Sequence, residues 1–471
     1  MSRAGRLAGA AALLLAITWA YAAALAAPFH FDDFHVIVDN PRVHGLAAWW
    51  ASMPGIRPLL KLSYALDWSR SLTAAGFHAT NLSLHGFNAL LAWAVSRQWL
   101  ARLAPGLPDP GSAAWCVALL FALHPAATEA VTYVSGRSQS LMALFYLAAL
   151  WTHVHVRERG LGGAWRALSP LLFAAALGVR ETAVTLPFAL ALLAWFAGDS
   201  PREALRGLAG HWLVLALAAG LAMAWPGYGD FFGTSLQVRG FAEQLAGQSV
   251  AAGHLFGHSL FGLRTNLDPD LRVPDAVVPH AIGFALSGLA AAGLAVLARG
   301  RRPWLGFAIA WTLLQLVPTQ SLLPRLDLAN DRHLYLVLPG VALAAVAALA
   351  GVAERRLAGG VLLLLALVLA SATRARNEDY RSELALWTAT AAASPGKARA
   401  WSNLGWARGQ AGDVEGARRA YACALARDPG HAQARINLSL LPPAGPDPAC
   451  DAGNGRRQAG KFGLLPGECD C

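Results

Sequence analysis

Asp32 and Asp33 are an adjacent carboxylate pair that follows the first apolar segment of the chain, flanked by three phenylalanines and two histidines in Phe29-His30-Phe31-Asp32-Asp33-Phe34-His35. An acidic pair just beyond a membrane boundary is a candidate general base for an attacking hydroxyl. Its plainer readings are a solvated loop or a cap on backbone N–H groups. His30 and His35 bracket the pair, but no further ligands at fixed spacing accompany them, so no metal site is expected. The following Asp39 and Asn40 suit a turn before Pro41.

The elements that must position this pair are apolar. The chain has 471 residues, 56% of them hydrophobic, and a mean hydropathy of +0.41, which indicates a polytopic membrane protein. The net charge of +10 does not imply nucleic acid, because the arginines fall in short clusters between apolar runs, as cytoplasmic anchors do. Residues 1–27 resemble a signal peptide, but the apolar run is long enough to span and is read as a retained helix.

Spans are expected at 7–27, 82–101, 113–130, 138–156, 211–226, 279–298, 304–319, 334–351 and 357–373. The stretch 167–197, interrupted by Val-Arg-Glu-Thr at 179–182, reads as two more, giving about 11 in an all-α bundle. With the amino terminus cytoplasmic, the short basic loops all fall inside. The outer face then receives the loop 28–81, the turn near 131–137, residues 179–182, the loop 227–278, residues 320–333 and everything after about 374. Asp32, Asp33, Arg57, Lys61, His85, His124, Glu129, Arg137, Arg180, Glu181, Arg325 and Arg332 all lie at or near outer ends of spans. Within the long outer loop, Leu236 to Leu263 carries His254 and His258 on one helical face and reads as an interfacial or re-entrant helix.

From Ala398 the pattern changes to Trp401-x2-Leu404-Gly405, Ala417, Tyr421, Ala424 and Pro429, the spacing of a 34-residue tetratricopeptide repeat, with Arg408 at the usual tyrosine position. Pro395 and Trp387 precede Pro429 and Tyr421 by one period, extending the pattern over about 375–441. Residues 442–471 are rich in Pro and Gly and read as disordered, with a disulfide among Cys450, Cys469 and Cys471 expected in preference to a metal.

Phe-x-Asp-Asp, Arg57-Pro58-Leu59, Asn81-x3-His85-x2-Asn88, His124-Pro125-x2-Thr128-Glu129, Gly136-Arg137, Arg180-Glu181 and Arg332-x2-Tyr335, followed by the repeats, resemble the TMTC proteins. These are membrane-spanning, tetratricopeptide-containing O-mannosyltransferases of the GT-C superfamily, and the chain looks like a bacterial-type member. Arg180 stands where a lysine is common, and Val337 and Leu338 interrupt the usual Tyr-Leu-Pro. The resemblance implies a GT-C-like domain over 1–374 that transfers a sugar, plausibly mannose, from a polyprenyl-phosphate donor to a protein or glycan acceptor on the periplasmic or lumenal face. No other cofactor is implied.

Such a transfer needs a base, Asp32 or Asp33 with Asp33 slightly preferred, and cations for the departing lipid phosphate, for which Arg57, Lys61, Arg137, Arg180 and Arg332 are candidates. Glu129 is read as the structural partner of Arg137 eight residues on. Arg180 and Arg332, if not phosphate-binding, would pair with Glu181 or Glu129. His85 and His124 are either site residues or packing histidines. Two other functions compete: a transporter or flippase, which predicts charges near the midplane, and a non-catalytic membrane-anchored scaffold that recruits a protein partner through its repeats.

Overall fold

The computed structural model describes residues 2–53, 55–262, 265–320, 323–352 and 354–442; the tail cysteines and their expected bridge lie outside the described residues. All regular structure among the described residues is helical, as long alanine- and leucine-rich runs favour. The chain divides into two compact units: 1–265 with 271–377, and the short segment 266–270 with the chain from 378 onward.

Among the described residues two helices, Val277–Ala298 and Arg355–Asp379, are long and apolar enough to cross a membrane. A third span is present if Pro110–Ala122 and Pro125–Val131, bent by 58°, count as one broken span. Shorter apolar helices accompany them at Trp165–Val179, Glu181–Phe196, Ala209–Ala224, Pro303–Leu316 and Leu338–Gly351. Their outer faces are apolar: Leu289, Leu297, Leu217 and Met223 are all exposed. Faces of this kind are solvated by lipid, not water, and the chain is a membrane protein. The helix expected over 236–263 runs instead from Phe241 to Leu260, because Leu236 belongs to the preceding helix Pro226–Gln237. The break falls at Gly240, whose N–H donates to the Glu243 carboxylate. This helix buries Gln244, Gln248, Leu255 and Ser259 and turns Phe241 and Phe256 outward.

The helix Ala74–Leu103 organises the first unit. Its buried polar residues His78, Asn81, His85 and Asn88 follow a helical spacing along one stripe. They bond backbone carbonyls of neighbouring elements. Asn81 Nδ2 donates to the Val131 carbonyl at 3.0 Å, Asn88 Nδ2 to the Ser140 carbonyl at 2.7 Å, and His85 Nε2 contacts the Ala122 carbonyl at 2.9 Å. His85 Nδ1 then accepts from the Tyr335 hydroxyl at 2.8 Å. In an apolar interior the carbonyls of Ala122 and Val131, which end their helices, would each cost several kcal/mol if left alone, on the order of the desolvation of one polar group.

In the second unit the helices Ala398–Gln410 and Val414–Arg427 form a close hairpin. A Cβ on Gly405 would lie 2.7 Å from the Tyr421 ring, so glycine sets the approach. Arg408 is buried and donates to the Gly416 carbonyl at 3.2 Å, so its polar end is satisfied where a tyrosine was expected. The segment 266–270 is fastened to this unit: Asp268 receives a bidentate pair from Arg399 at 2.6 and 2.7 Å and a further contact from Lys397.

Candidate active site

Phe31 has φ +41° and Arg57 φ +55°, left-handed conformations that side chains with a Cβ adopt at a cost. The first twists the chain immediately before the acidic pair, and the two carboxylates separate. Asp33 is fully buried; one oxygen accepts the Ser135 N–H at 2.7 Å and the other the His30 N–H at 3.0 Å. It ties residues 30–33 to the turn 102 residues later. Asp32 is half-buried. Its backbone N–H donates to the Tyr133 hydroxyl at 2.8 Å, leaving the carboxylate directed by the main chain alone.

Burial pushes the Asp33 carboxyl up to about 6, against the opposing hydrogen bonds from His30 and Ser135. Because the folded value lies above the unfolded one, Asp33 adds stability below about pH 4 that is lost as the pH rises through about 6, on the order of 3 kcal/mol in full. Thermal unfolding in nanodiscs from pH 4 to 7 should therefore show a falling midpoint. Asp33→Asn should flatten that fall, and parallel curves would refute it.

The arginines behave individually. Arg57 grips both oxygens of Glu181 at 2.8 to 3.0 Å, and although burial works the other way, Arg57 holds Glu181 below the usual carboxylate range. Arg332 pairs with Glu129: its N–H donates to Glu129 Oε2 at 3.0 Å and its Nη1 lies 3.5 Å from Oε1. Arg332 also feels the charge of Asp32.

Arg180 has no carboxylate within ion-pair distance among the described residues. It is buried, Nη1 donates to Ser138 Oγ at 2.6 Å, and Nε has no hydrogen-bond partner. Burial and the fields of Arg57, Arg325 and Arg332 push its pKa well down. Lys61, half-buried, is likewise depressed by burial, Arg42 and Arg57.

Arg137 is different from the other candidates. It is fully buried, and every guanidinium nitrogen has a protein partner: Nε donates to Asn81 Oδ1 at 2.6 Å, Nη1 to the Ser63 carbonyl at 3.2 Å, and Nη2 to the Phe77 carbonyl at 3.0 Å. Its acid is Asp67 at 2.6 Å, not Glu129. Gly136 explains the neighbouring motif position, since a Cβ there would lie 2.1 Å from the Glu129 carbonyl oxygen. His85 is a fully satisfied packing residue, and His124 caps the turn Pro125–Ala127 by accepting the Ala126 N–H at 3.2 Å. The sequence reading missed Asp67, Tyr133 and the Ser135 N–H. Only Asp67, an acid within the apolar run Tyr64-Ala65-Leu66-Asp67-Trp68, offered a signal.

A protein O-mannosyl-transferase of Caenorhabditis elegans is 31% identical over 173 residues, 33% of this chain and 24% of that protein. Protein O-mannosyl-transferase Tmtc2 of Drosophila melanogaster is 32% identical over 216 residues, 41% of this chain and 21% of its own length. Protein O-mannosyl-transferase TMTC1 of Mus musculus is 32% identical over 206 residues, 38% and 21%. The chain is TMTC-like. The matched region of the TMTC-like chain spans about a quarter or less of these relatives. No family model matches the chain, and no solved structure does.

Proposed function

We propose that this TMTC-like chain is a membrane glycosyltransferase that moves a sugar, mannose in the first instance, from a polyprenyl-phosphate donor to a protein hydroxyl. The observation that carries the proposal is Arg180, a buried guanidinium without a carboxylate, beside Arg57, Arg325 and Arg332. A buried cation in that position is stabilised by an anion brought from outside, and a lipid phosphate supplies one. Arg332, which feels both Arg180 and Asp32, links the phosphate side of the site to the carboxylate side.

In this reading Asp32 takes the proton of the acceptor hydroxyl as it attacks the anomeric carbon. The bond from that carbon to the phosphate oxygen breaks, and its electron pair leaves with the phosphate held by Arg180 and Arg332. A single displacement inverts the anomeric centre and needs one base, so Asp33 is free to act as a brace. The full arrangement of about 11 spans, the cytoplasmic amino terminus, the outer location of the site and a tetratricopeptide role in acceptor choice belong to the same proposal. The names of the relatives support the sugar and the acceptor class.

The experiment is donor binding and transfer by the chain in nanodiscs with polyprenyl-phosphate mannose. Arg180→Gln should raise the donor KM about 10- to 100-fold, the worth of one charge-assisted hydrogen bond, while leaving the thermal midpoint unchanged or higher, because an unpaired buried charge is gone. An unaltered KM would remove Arg180 from the donor site. Absence of any transfer or donor hydrolysis by the unsubstituted protein would sink the proposal as a whole.

A further inference from the structure

A second constellation lies on the other side of Arg332. His254 and His258 stand one helical turn apart on Phe241–Leu260, and Asp331 opens the 3₁₀ turn Asp331–Leu334. His258 Nδ1 is 2.8 Å and His254 Nε2 3.3 Å from the same oxygen, Asp331 Oδ1. The three donor atoms lie within 4.8 Å of one another. Asp331 is buried, and the histidine side chains are only 14% and 18% exposed.

A hydrogen-bonded His-Asp-His network explains one of these contacts and not the other. His258 is placed as a donor should be, whereas His254 Nε2 is a buried atom with no hydrogen-bond partner of acceptable geometry despite its 3.3 Å approach. At 3.3 Å the imidazole nitrogen and the carboxylate oxygen stand at the separation of two ligands of a common ion. Donors on one tetrahedral ion with bonds of about 2.0–2.1 Å stand roughly 3.4 Å apart. The two rings lie close together, with centroids 4.0 Å apart. His124, whose Nε2 is buried without a partner, is close enough to feel Asp331 and His258.

We propose that His254, His258 and Asp331 bind a divalent transition-metal ion, with zinc the cation best suited to two imidazoles and one carboxylate and an open fourth position. The ion joins Phe241–Leu260 to the turn that carries Arg332 and so fixes where that arginine stands. Asp331 is 73 residues from His258 in sequence, so spacing alone gives no hint of the set.

The test is metal content and affinity of the full chain in nanodiscs, stripped with EDTA and titrated with Zn²⁺. Cys450, Cys469 and Cys471 are replaced by Ser so that their thiolates do not compete. One ion per chain is expected. His254→Ala, His258→Ala and Asp331→Asn should each weaken binding at least about 100-fold, as loss of a direct ligand exceeds the effect of an outer-shell change, while His280→Ala, an exposed histidine elsewhere, should not. Co²⁺ in place of Zn²⁺ should give visible ligand-field bands that vanish in the same variants. Helical circular dichroism and gel filtration establish that each variant folds. Less than stoichiometric binding by the starting protein overturns the proposal without reference to any variant, as does unchanged affinity in the folded His254→Ala/His258→Ala double variant.

Discussion

Asp32→Asn should lower the turnover of sugar transfer by about 10²–10⁴-fold, the range supplied by a positioned general base, with the donor KM changed by less than about 3-fold, since the phosphate ligands are untouched. The substitution is nearly isosteric and leaves the hydrogen bond from the Asp32 N–H to Tyr133 intact, so the fold has no reason to change. Asp33→Asn provides the contrast. Both oxygens of Asp33 accept backbone N–H groups, and an amide NH₂ cannot replace the oxygen it displaces. Its expected signature is a change in stability and its pH dependence, with turnover lost only in proportion to the folded fraction. Single-turnover transfer with pre-bound donor, measured beside thermal unfolding, separates the two. Turnover within tenfold of the starting protein in Asp32→Asn would exclude Asp32 as the base.

Arg137→Met should destabilise the first unit by about 3–5 kcal/mol, the cost of leaving one member of a buried ion pair alone. Asp67 is buried and would lose its cation, and the carbonyls of Ser63 and Phe77 and the amide oxygen of Asn81 would lose their donor. The Tyr64 and Phe77 rings, 4.9 and 5.5 Å from the guanidinium, would lose the cation between them. Adding Asp67→Asn should return part of that loss, because the stranded charge is then removed. Thr80, which donates to Asp67 at 2.8 Å, can still bond the amide oxygen. Unfolding of the two single variants and the double variant in denaturant gives the coupling energy. A single-variant loss below about 1 kcal/mol would show that Arg137 is not the internal brace its contacts indicate.

These two cases show why part of the site was readable in the chain and part was not. The acidic pair stood out because carboxylates are expensive beside a membrane, and their presence at a span boundary is informative by composition alone. Which aspartate remains available could not be read there. It depends on the left-handed turn at Phe31 and on an N–H at Ser135, which carries no side-chain signature. The expectation that Glu129 serves Arg137 failed for a related reason. Eight residues are about 12 Å of a regular helix, too far for an ion pair, and the chain between these two passes through the turns 132–136 without bringing them together. Glu129 consequently meets Arg332, and Arg137 meets Asp67. The motif Asn81-x3-His85-x2-Asn88 was visible as a pattern, yet its hydrogen bonds to the carbonyls of Val131, Ala122 and Ser140 appear only when those elements are in place.

The amino-acid sequence by itself determined that the chain is helical, that it belongs to a membrane, and that its polar residues collect near the ends of apolar runs. Hydropathy and helical period are properties of neighbouring residues and need no partner to be expressed. Only the tertiary structure decided which charges neutralise one another: Arg57 with Glu181, Arg332 with Glu129 and Arg137 with Asp67, while buried Arg180 meets no carboxylate among the described residues. Pairing is set by contacts 70 to 203 residues apart, where a displacement of a few ångströms exchanges one partner for another. In a low-dielectric interior the cation left without a carboxylate carries the largest unmet demand for an anion. That demand makes Arg180, indistinguishable in the sequence from the other candidates, the residue around which a phosphate site can be argued.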